Sequence, residues 1–82
     1  MELRHLRHFI GVVDAGSFSK AAQNLNITQP ALTRSIHILE HQLRTQLLYR
    51  QARGVVPTEM GQIISRNANQ NLNEMLAARE EM

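Results

Sequence analysis

The stretch SFSKAAQNLNITQPALTRSIHILE, residues 17–40, decides the fold because it holds two helical patterns separated by a short turn. In the first pattern, apolar side chains recur at helical spacing, at Phe18, Ala21, Ala22 and Leu25. Asn26 suits the turn, since asparagine tolerates a positive φ better than most residues other than glycine. Two short helices joined in this way are typical of a helix-turn-helix.

The second pattern has one apolar face and one polar face. Thr28 is the candidate N-cap, and Pro30 falls in the first turn, where its missing N–H costs nothing. In a helix running to about residue 45, the apolar face consists of Leu32, Ile36, Leu39 and Leu43. The opposite face carries Pro30, Thr33, Arg34, His37 and His41. One face is therefore suited to a core and the other to contact with a partner.

An earlier helix and a later hairpin flank this pair. The earlier helix covers residues 3–13, and Gly16 suits the left-handed position that ends it. Ser17 can then cap the next helix. After the pair, two short apolar runs surround a turn that contains Gly54, which indicates a small β-hairpin. Thr58 is the candidate cap of a last helix.

These elements indicate a mainly α fold, with a helix-turn-helix at about 18–37, a small β-hairpin at about 47–57 and a last helix over residues 59–82. We expect the apolar stripe of the last helix to be a dimerisation seam. Its apolar residues are Ile64, Ala68, Leu72, Met75 and Leu76.

The composition limits the classes of function. The chain has 82 residues, 43% of them hydrophobic, and no cysteine, which removes disulfides and thiolate metal sites. No apolar run approaches the ~20 residues of a membrane span, and we expect no signal peptide and a cytoplasmic location. Residues 1–53 hold seven basic and three acidic side chains, whereas residues 54–82 hold two and four. The basic front half favours a polyanionic partner, although the excess is small.

Several side chains suit contact with DNA, because a major groove roughly 12 Å wide admits one helix whose first turns face the base edges. Arg34 can bind guanine or phosphate, the alternative being a solvated surface arginine. Gln29 can bind adenine or phosphate, the alternative being a helix-favouring residue. Arg53, at the hairpin tip, suits a narrow minor groove, and Arg50, at the hairpin base, suits a phosphate.

The remaining candidates have structural alternatives of their own. Thr28 and Ser17 are N-caps that can also present N–H groups to phosphate, and Lys20 attracts phosphate diffusely. His37 and His41 have a zinc-compatible spacing, but no third ligand is visible, so we expect no metal and a groove-facing His37. No arrangement of catalytic residues is evident, so we expect no enzyme.

The combined motifs resemble those of LysR-type transcriptional regulators, in their N-terminal DNA-binding domain. The matching elements are F-x-x-V-x-x-x-G-S-F-x-x-A-A-x-x-L from Phe9 to Leu25, T-Q-P-A-L-T-R-x-I-x-x-L-E from Thr28 to Glu40, L-x-x-R from Leu47 to Arg50 and T-x-x-G from Thr58 to Gly61. Together they cover nearly the whole chain.

The resemblance implies a winged helix-turn-helix, with a three-helix core and a small β-hairpin wing, as the DNA-binding domain at residues 1–58, followed by a long linker helix at residues 59–82. It implies sequence-specific binding to double-stranded operator DNA, with the helix at about 28–44 in the major groove and Arg53 in the minor groove. It also implies a homodimer, paired through the linker helices, on an imperfect inverted repeat. The complete set of residues predicted to contact DNA is Ser17, Lys20, Thr28, Gln29, Pro30, Ala31, Thr33, Arg34, His37, Arg50 and Arg53.

The same resemblance implies a longer parent protein. We expect a C-terminal domain, absent from this chain, that binds a small-molecule inducer, a tetrameric full-length protein, and RNA polymerase as a further partner. No cofactor is expected in the present domain. The alternative from another class is a winged-helix module whose exposed helix face binds protein.

Two positions depart from the family pattern. Arg44 stands where the family usually has Gly after the recognition helix, and Leu48 stands where it usually has Phe. Since arginine is disfavoured at positive φ, the pattern leaves open the exact residue at which the helix ends. The smaller Leu48 is expected to thin the packing beneath the wing.

Overall fold

Helices account for most of the fold. The computed structural model describes residues 2–68 and residue 70. The first three helices are α1 (Leu3–Ala15), α2 (Phe18–Leu25) and α3 (Gln29–Leu43). They are followed by two antiparallel strands, β1 (Leu48–Gln51) and β2 (Gly54–Pro57), and by α4, which is helical over residues 59–68. This architecture confirms the predicted helix-turn-helix with a hairpin wing.

Local hydrogen bonds fix the ends of the first helices at the residues that the sequence predicts. Gly16 ends α1 in the left-handed region with φ 74°, and Asn26 ends α2 with φ 58°. The Ser17 Oγ accepts a hydrogen bond from the Lys20 N–H at 3.0 Å. The Thr28 Oγ1 accepts one from the Ala31 N–H at 3.2 Å. These caps hold the short turn between α2 and α3 in place.

Arg44 ends α3 in the left-handed region, with φ 53° and ψ 39°. Its N–H donates to the His41 carbonyl at 3.2 Å, and the Thr45 N–H donates to the Glu40 carbonyl at 3.1 Å. This pair of bonds is a Schellman motif, which satisfies carbonyls that the helix end leaves free. The helix therefore stops where the family's glycine would stop it, even though an L-residue is strained in this conformation.

Arg44→Gly is expected to raise the free energy of unfolding by up to about 1 kcal/mol, because glycine adopts the left-handed conformation without the Cβ clash. Urea unfolding followed by circular dichroism measures the change. Arg44→Ala is the matched control, since it removes the same charge but keeps the Cβ. If both variants gain stability equally, the gain comes from the lost charge and not from the backbone.

A single apolar core joins α1, α2, α3 and the underside of the wing. Its buried members are Phe9, Val12, Phe18, Ala21, Ala22, Leu32, Ile36, Leu39, Leu47, Leu48 and Val55. Leu25, Ile27 and Leu43 pack against it, as the predicted stripes require. Leu48 is 6% exposed, so leucine at this position still closes the underside of the wing.

The wing is attached to the turn between α1 and α2. The Val55 N–H donates to the Gly16 carbonyl at 3.0 Å. Gly54 has φ 142°, and a Cβ built on it would lie 2.3 Å from the Gly16 oxygen. Only glycine permits this close approach without displacing one of the two backbones. The position of the wing relative to α2 is therefore set by backbone contacts.

Hydrogen bonds of the Thr58 side chain fix the start of α4. Thr58 Oγ1 accepts from the Gly61 N–H at 3.0 Å and donates to the Gln46 carbonyl at 2.7 Å, which confirms Thr58 as the cap. Of the predicted dimerisation residues, Ala68 is 4% exposed and Ile64 packs against the core of the same chain. Ile64 thus contributes to packing within the domain. Leu72, Met75 and Leu76 lie outside the described residues.

Candidate nucleic-acid interface

The outer face of α3 is exposed along its first two turns and beyond. Gln29, Pro30, Ala31, Arg34 and His37 are exposed, and Thr33 is partly exposed. Within residues 2–68 and 70, the side chains of Gln29, Arg34 and His37 form no hydrogen bond or ion pair with another protein group. Their donors and acceptors are therefore available to a partner.

The inner face of the same helix is fully packed. Leu32, Ile36 and Leu39 are buried, and so is Ser35. The Ser35 Oγ lies 2.8 Å from Nδ1 of His8 on α1, a hydrogen bond that the sequence patterns did not predict. Apolar packing and this polar contact together hold α3 against α1, so the exposed face is presented by a rigid element.

His8 has a pKa below the usual range for histidine. Burial is the main cause, and the neighbouring His5 and Arg4 lower the pKa further, because each disfavours a positive charge on the ring. His8 is therefore neutral at physiological pH, with one ring nitrogen available for the Ser35 hydroxyl. The Nδ1 of His5, also buried, has no hydrogen-bond partner among the described residues.

The free energy of unfolding is expected to fall as the pH is lowered from neutrality through the ordinary histidine pKa of 6.5. In that window His8 is protonated more fully in the unfolded chain than in the folded chain, because its folded-state pKa is lower. The unfolded state therefore binds more protons. The contribution is complete above the unfolded pKa and is lost as the pH drops through the lowered folded pKa. Urea unfolding at several pH values tests this, with His8→Gln flattening the profile. Equal slopes for the wild-type and His8→Gln proteins would contradict the assignment to His8.

The remaining residues predicted to contact DNA lie on or beside α2 and on the wing. Lys20 and Thr28 are exposed, and Ser17 is partly exposed with its hydroxyl engaged as a cap. Arg53 is exposed in the two-residue loop between β1 and β2, as expected from the position of Gly54. Arg50 is also exposed, but its guanidinium carbon lies 4.5 Å from the centroid of the Phe18 ring. The sequence predicted neither this stacking nor its partner.

Exposed apolar side chains form a second surface, which the sequence reasoning missed. Tyr49 and Val56 pair across the hairpin, and Met60 and Ile63 follow on α4. Tyr49 is the most exposed of the four, at 52%. The alternation of the strands could have indicated the two hairpin residues, because Leu48 occupies the inner face next to Tyr49.

Metal and membrane features are not found in the described part of the chain. No group of three or more His, Cys, Asp or Glu side chains there is arranged to hold a metal ion. Among the same residues, no helix combines the length and apolar character needed to cross a bilayer.

Comparison with known proteins identifies the family of this chain. The model for the bacterial regulatory helix-turn-helix protein, lysR family, matches residues 3–62. The chain belongs to this family. Among LysR-family relatives, the nitrogen assimilation regulatory protein nac of Klebsiella aerogenes is 45% identical over 74 residues, which are 90% of this chain and 24% of that protein. The transcriptional regulator BenM of Acinetobacter baylyi is 54% identical over 61 residues, 74% of this chain and 20% of BenM.

Solved structures of LysR-family proteins share the fold. The complex of the BenM DBD with benA site 1 DNA has a TM-score of 0.87 and 43% identity, covering 99% of this chain and 98% of that chain. The CbnR DBD–DNA complex has a TM-score of 0.88 and 38% identity, with coverages of 99% and 91%. The chain spans about a quarter of the length of the curated relatives. These relatives are transcriptional regulators and not enzymes, as the sequence predicts.

Proposed function

We propose that the chain is the sequence-specific DNA-binding domain of a LysR-type transcriptional regulator. The observation that carries the proposal is the contrast between the two faces of α3, one packed in the core and the other exposed with unbonded Gln29, Arg34 and His37. A helix of this kind fits a major groove, where side chains of its first turns reach base edges. The DNA complexes of the BenM and CbnR domains support the same function here.

The proposed contacts divide into base reading and phosphate binding. Base reading belongs to the outer face of α3, namely to Gln29, Pro30, Ala31, Thr33, Arg34 and His37. Arg53 at the wing tip enters the adjacent minor groove. Phosphate binding belongs to Ser17, Lys20, Thr28 and Arg50, which lie at the helix starts and on the wing. Because phosphates are independent of sequence, the second group supplies affinity and the first supplies preference.

The proposed active form is a homodimer, joined through α4, on an imperfect inverted repeat. Leu72, Met75 and Leu76 have the helical spacing of a packing seam. Met60 and Ile63, exposed on α4, extend the apolar surface toward the wing. Ile64 and Ala68 belong to the same proposed seam, with Ile64 partly buried against the core and Ala68 4% exposed in the single chain. Two copies related by a two-fold axis would then place two α3 helices in successive major grooves.

The proposal for the whole regulator follows from the family. It comprises an effector domain that binds a small-molecule inducer, a tetrameric assembly, contact with RNA polymerase, and a cytoplasmic location beside the chromosome. The domain described above would supply the operator recognition and needs no cofactor for it.

Selection of bound duplexes from a random DNA pool, followed by a salt titration, tests the function. The selected duplex is expected to bind about 10³-fold more tightly than a scrambled duplex. The logarithm of the binding constant should fall linearly with the logarithm of the salt concentration, by about 0.9 for each phosphate contacted. Weak and equal binding to both duplexes would instead favour the alternative in which the exposed face binds a protein.

A further inference from the structure

The wing arginine Arg50 rests on the first residue of α2. Its guanidinium carbon lies 4.5 Å from the Phe18 ring centroid, which is within the range of a cation–π interaction. Phe18 is 7% exposed and belongs to the core, so its ring is a fixed platform. The flexible arginine side chain is therefore stacked on a ring whose own position is fixed by the core.

The attachment of the wing explains why the two residues meet. Arg50 pairs with Val55 across the hairpin. The Val55 N–H donates to the Gly16 carbonyl, two residues before Phe18. Leu48 and Arg50 share the inner face of β1, since successive side chains of a strand alternate. The same backbone contacts that fix the wing thus direct Arg50 toward Phe18.

The stacking leaves the hydrogen-bonding edge of Arg50 unoccupied. Among the described residues, Arg50 has no carboxylate partner, and the Glu40 side chain in the same region accepts from the Leu47 N–H at 2.7 Å. A ring engages the face of a guanidinium, whereas the N–H donors lie in its plane. Arg50 is therefore held and still able to donate to a phosphate.

We propose that Phe18 is a positioning residue for DNA binding, which orients Arg50 before contact so that its N–H edge meets a backbone phosphate beside the start of α2. This inference rests on the proposed function. A long side chain loses rotamer freedom when it binds, and an arginine already stacked on a ring loses less. The ring therefore increases affinity without touching the DNA.

A double-mutant cycle tests the coupling, with Phe18→Leu, Arg50→Gln and the combined variant. Fluorescence anisotropy at low salt measures binding to an arbitrary duplex of about 30 base pairs, roughly the length of one regulator site. No particular operator is needed, because phosphate contacts do not depend on sequence. Phe18→Leu is expected to weaken binding by roughly 3- to 10-fold when residue 50 is arginine, and not at all when it is glutamine. An equal loss in both backgrounds would overturn the inference, because Phe18 would then act through folding alone.

Two further variants separate positioning from stability. Phe9→Leu makes the same change at another buried ring of the core and is expected to lower stability while leaving the affinity of the folded protein unchanged. Arg50→Lys keeps the charge and the intact core but loses the planar stack, so it should bind as weakly as Phe18→Leu. Wild-type affinity for Arg50→Lys would overturn the inference.

Nuclear magnetic resonance of the free protein gives a readout independent of DNA. The Arg50 side-chain protons are expected to be shifted upfield by the ring current of Phe18, and this shift should vanish in Phe18→Leu. A wild-type chain that binds no duplex overturns the proposed function and this inference together. A wild-type chain that binds, with Arg50→Gln weaker and Phe18→Leu unchanged, overturns the inference alone.

Discussion

A Gly61→Ala variant is expected to lose about 3 kcal/mol of stability, or roughly 12–24 °C in Tm for a domain of this size. The added Cβ would lie 2.2 Å from the Leu47 carbonyl oxygen and 3.3 Å from the Pro57 Cβ. The oxygen cannot retreat freely, because it accepts the Thr58 N–H at 2.9 Å. The clash must therefore displace α4 from the wing or break the bond that joins them.

Gly11→Ala is the matched control, since Gly11 also lies inside a helix. Its added Cβ would meet only the Leu25 side chain, with the Cδ1 at 3.0 Å, and the end of a leucine can move. Replacing glycine inside a helix also gains about 1 kcal/mol of helix propensity, which offsets this crowding. Thermal and urea unfolding of both variants, followed by circular dichroism, should show a large loss for Gly61→Ala alone. Comparable stabilities of the two would contradict the assigned role of the Leu47 carbonyl.

The Gly61 contact also shows where sequence patterns reach their limit. Local signals predicted the helix-turn-helix correctly, because caps such as Ser17 and Thr28 act on N–H groups three residues away. The left-handed Asn26 and Gly16 are local in the same sense. Gly61, by contrast, is required by a carbonyl fourteen residues earlier in the chain. No periodicity within one helix carries that information.

Contacts between elements were missed for the same reason. The His8–Ser35 hydrogen bond joins residues 27 positions apart, and the Phe18–Arg50 stack joins α2 to the wing. Each depends on how the helices cross and on where the wing is attached. Arg44 illustrates a different limit. Its intrinsic preference against positive φ is weaker than the stabilisation from the Schellman hydrogen bonds and from the core packing on either side.

The exposed face of α3 was predictable, because an amphipathic pattern states which side is buried. Spacing does not fix what α4 contacts, since Ile64, which packs against the core, and the buried Ala68 also fit the spacing of a dimerisation seam. A helix that contacts its own domain on one side and a partner on another has apolar side chains on two faces. Their spacing does not tell which face packs against the domain and which binds the partner.

Arg34→Ala is expected to weaken binding to the selected operator by ~1–3 kcal/mol, roughly 5- to 150-fold in Kd. Arg34 is exposed on the outer face of α3 and has no partner among the described residues, so its removal should leave Tm unchanged. A guanidinium can donate two parallel bonds to guanine O6 and N7, and alanine leaves those acceptors unpaired. The preference for one base pair should therefore be relaxed along with the affinity.

Lys20→Ala is the contrasting control, because Lys20 is exposed on α2 and is assigned to phosphate. It should weaken binding to selected and scrambled duplexes alike and reduce the salt slope by about 1. A uniform loss of this kind for Arg34→Ala would mean that Arg34 binds phosphate and that preference arises elsewhere on α3. Full affinity and an unaltered preference in repeated selection from the random pool would remove Arg34 from the interface. Base reading would then have to come from Gln29 and His37, whose side chains lie on the same exposed face.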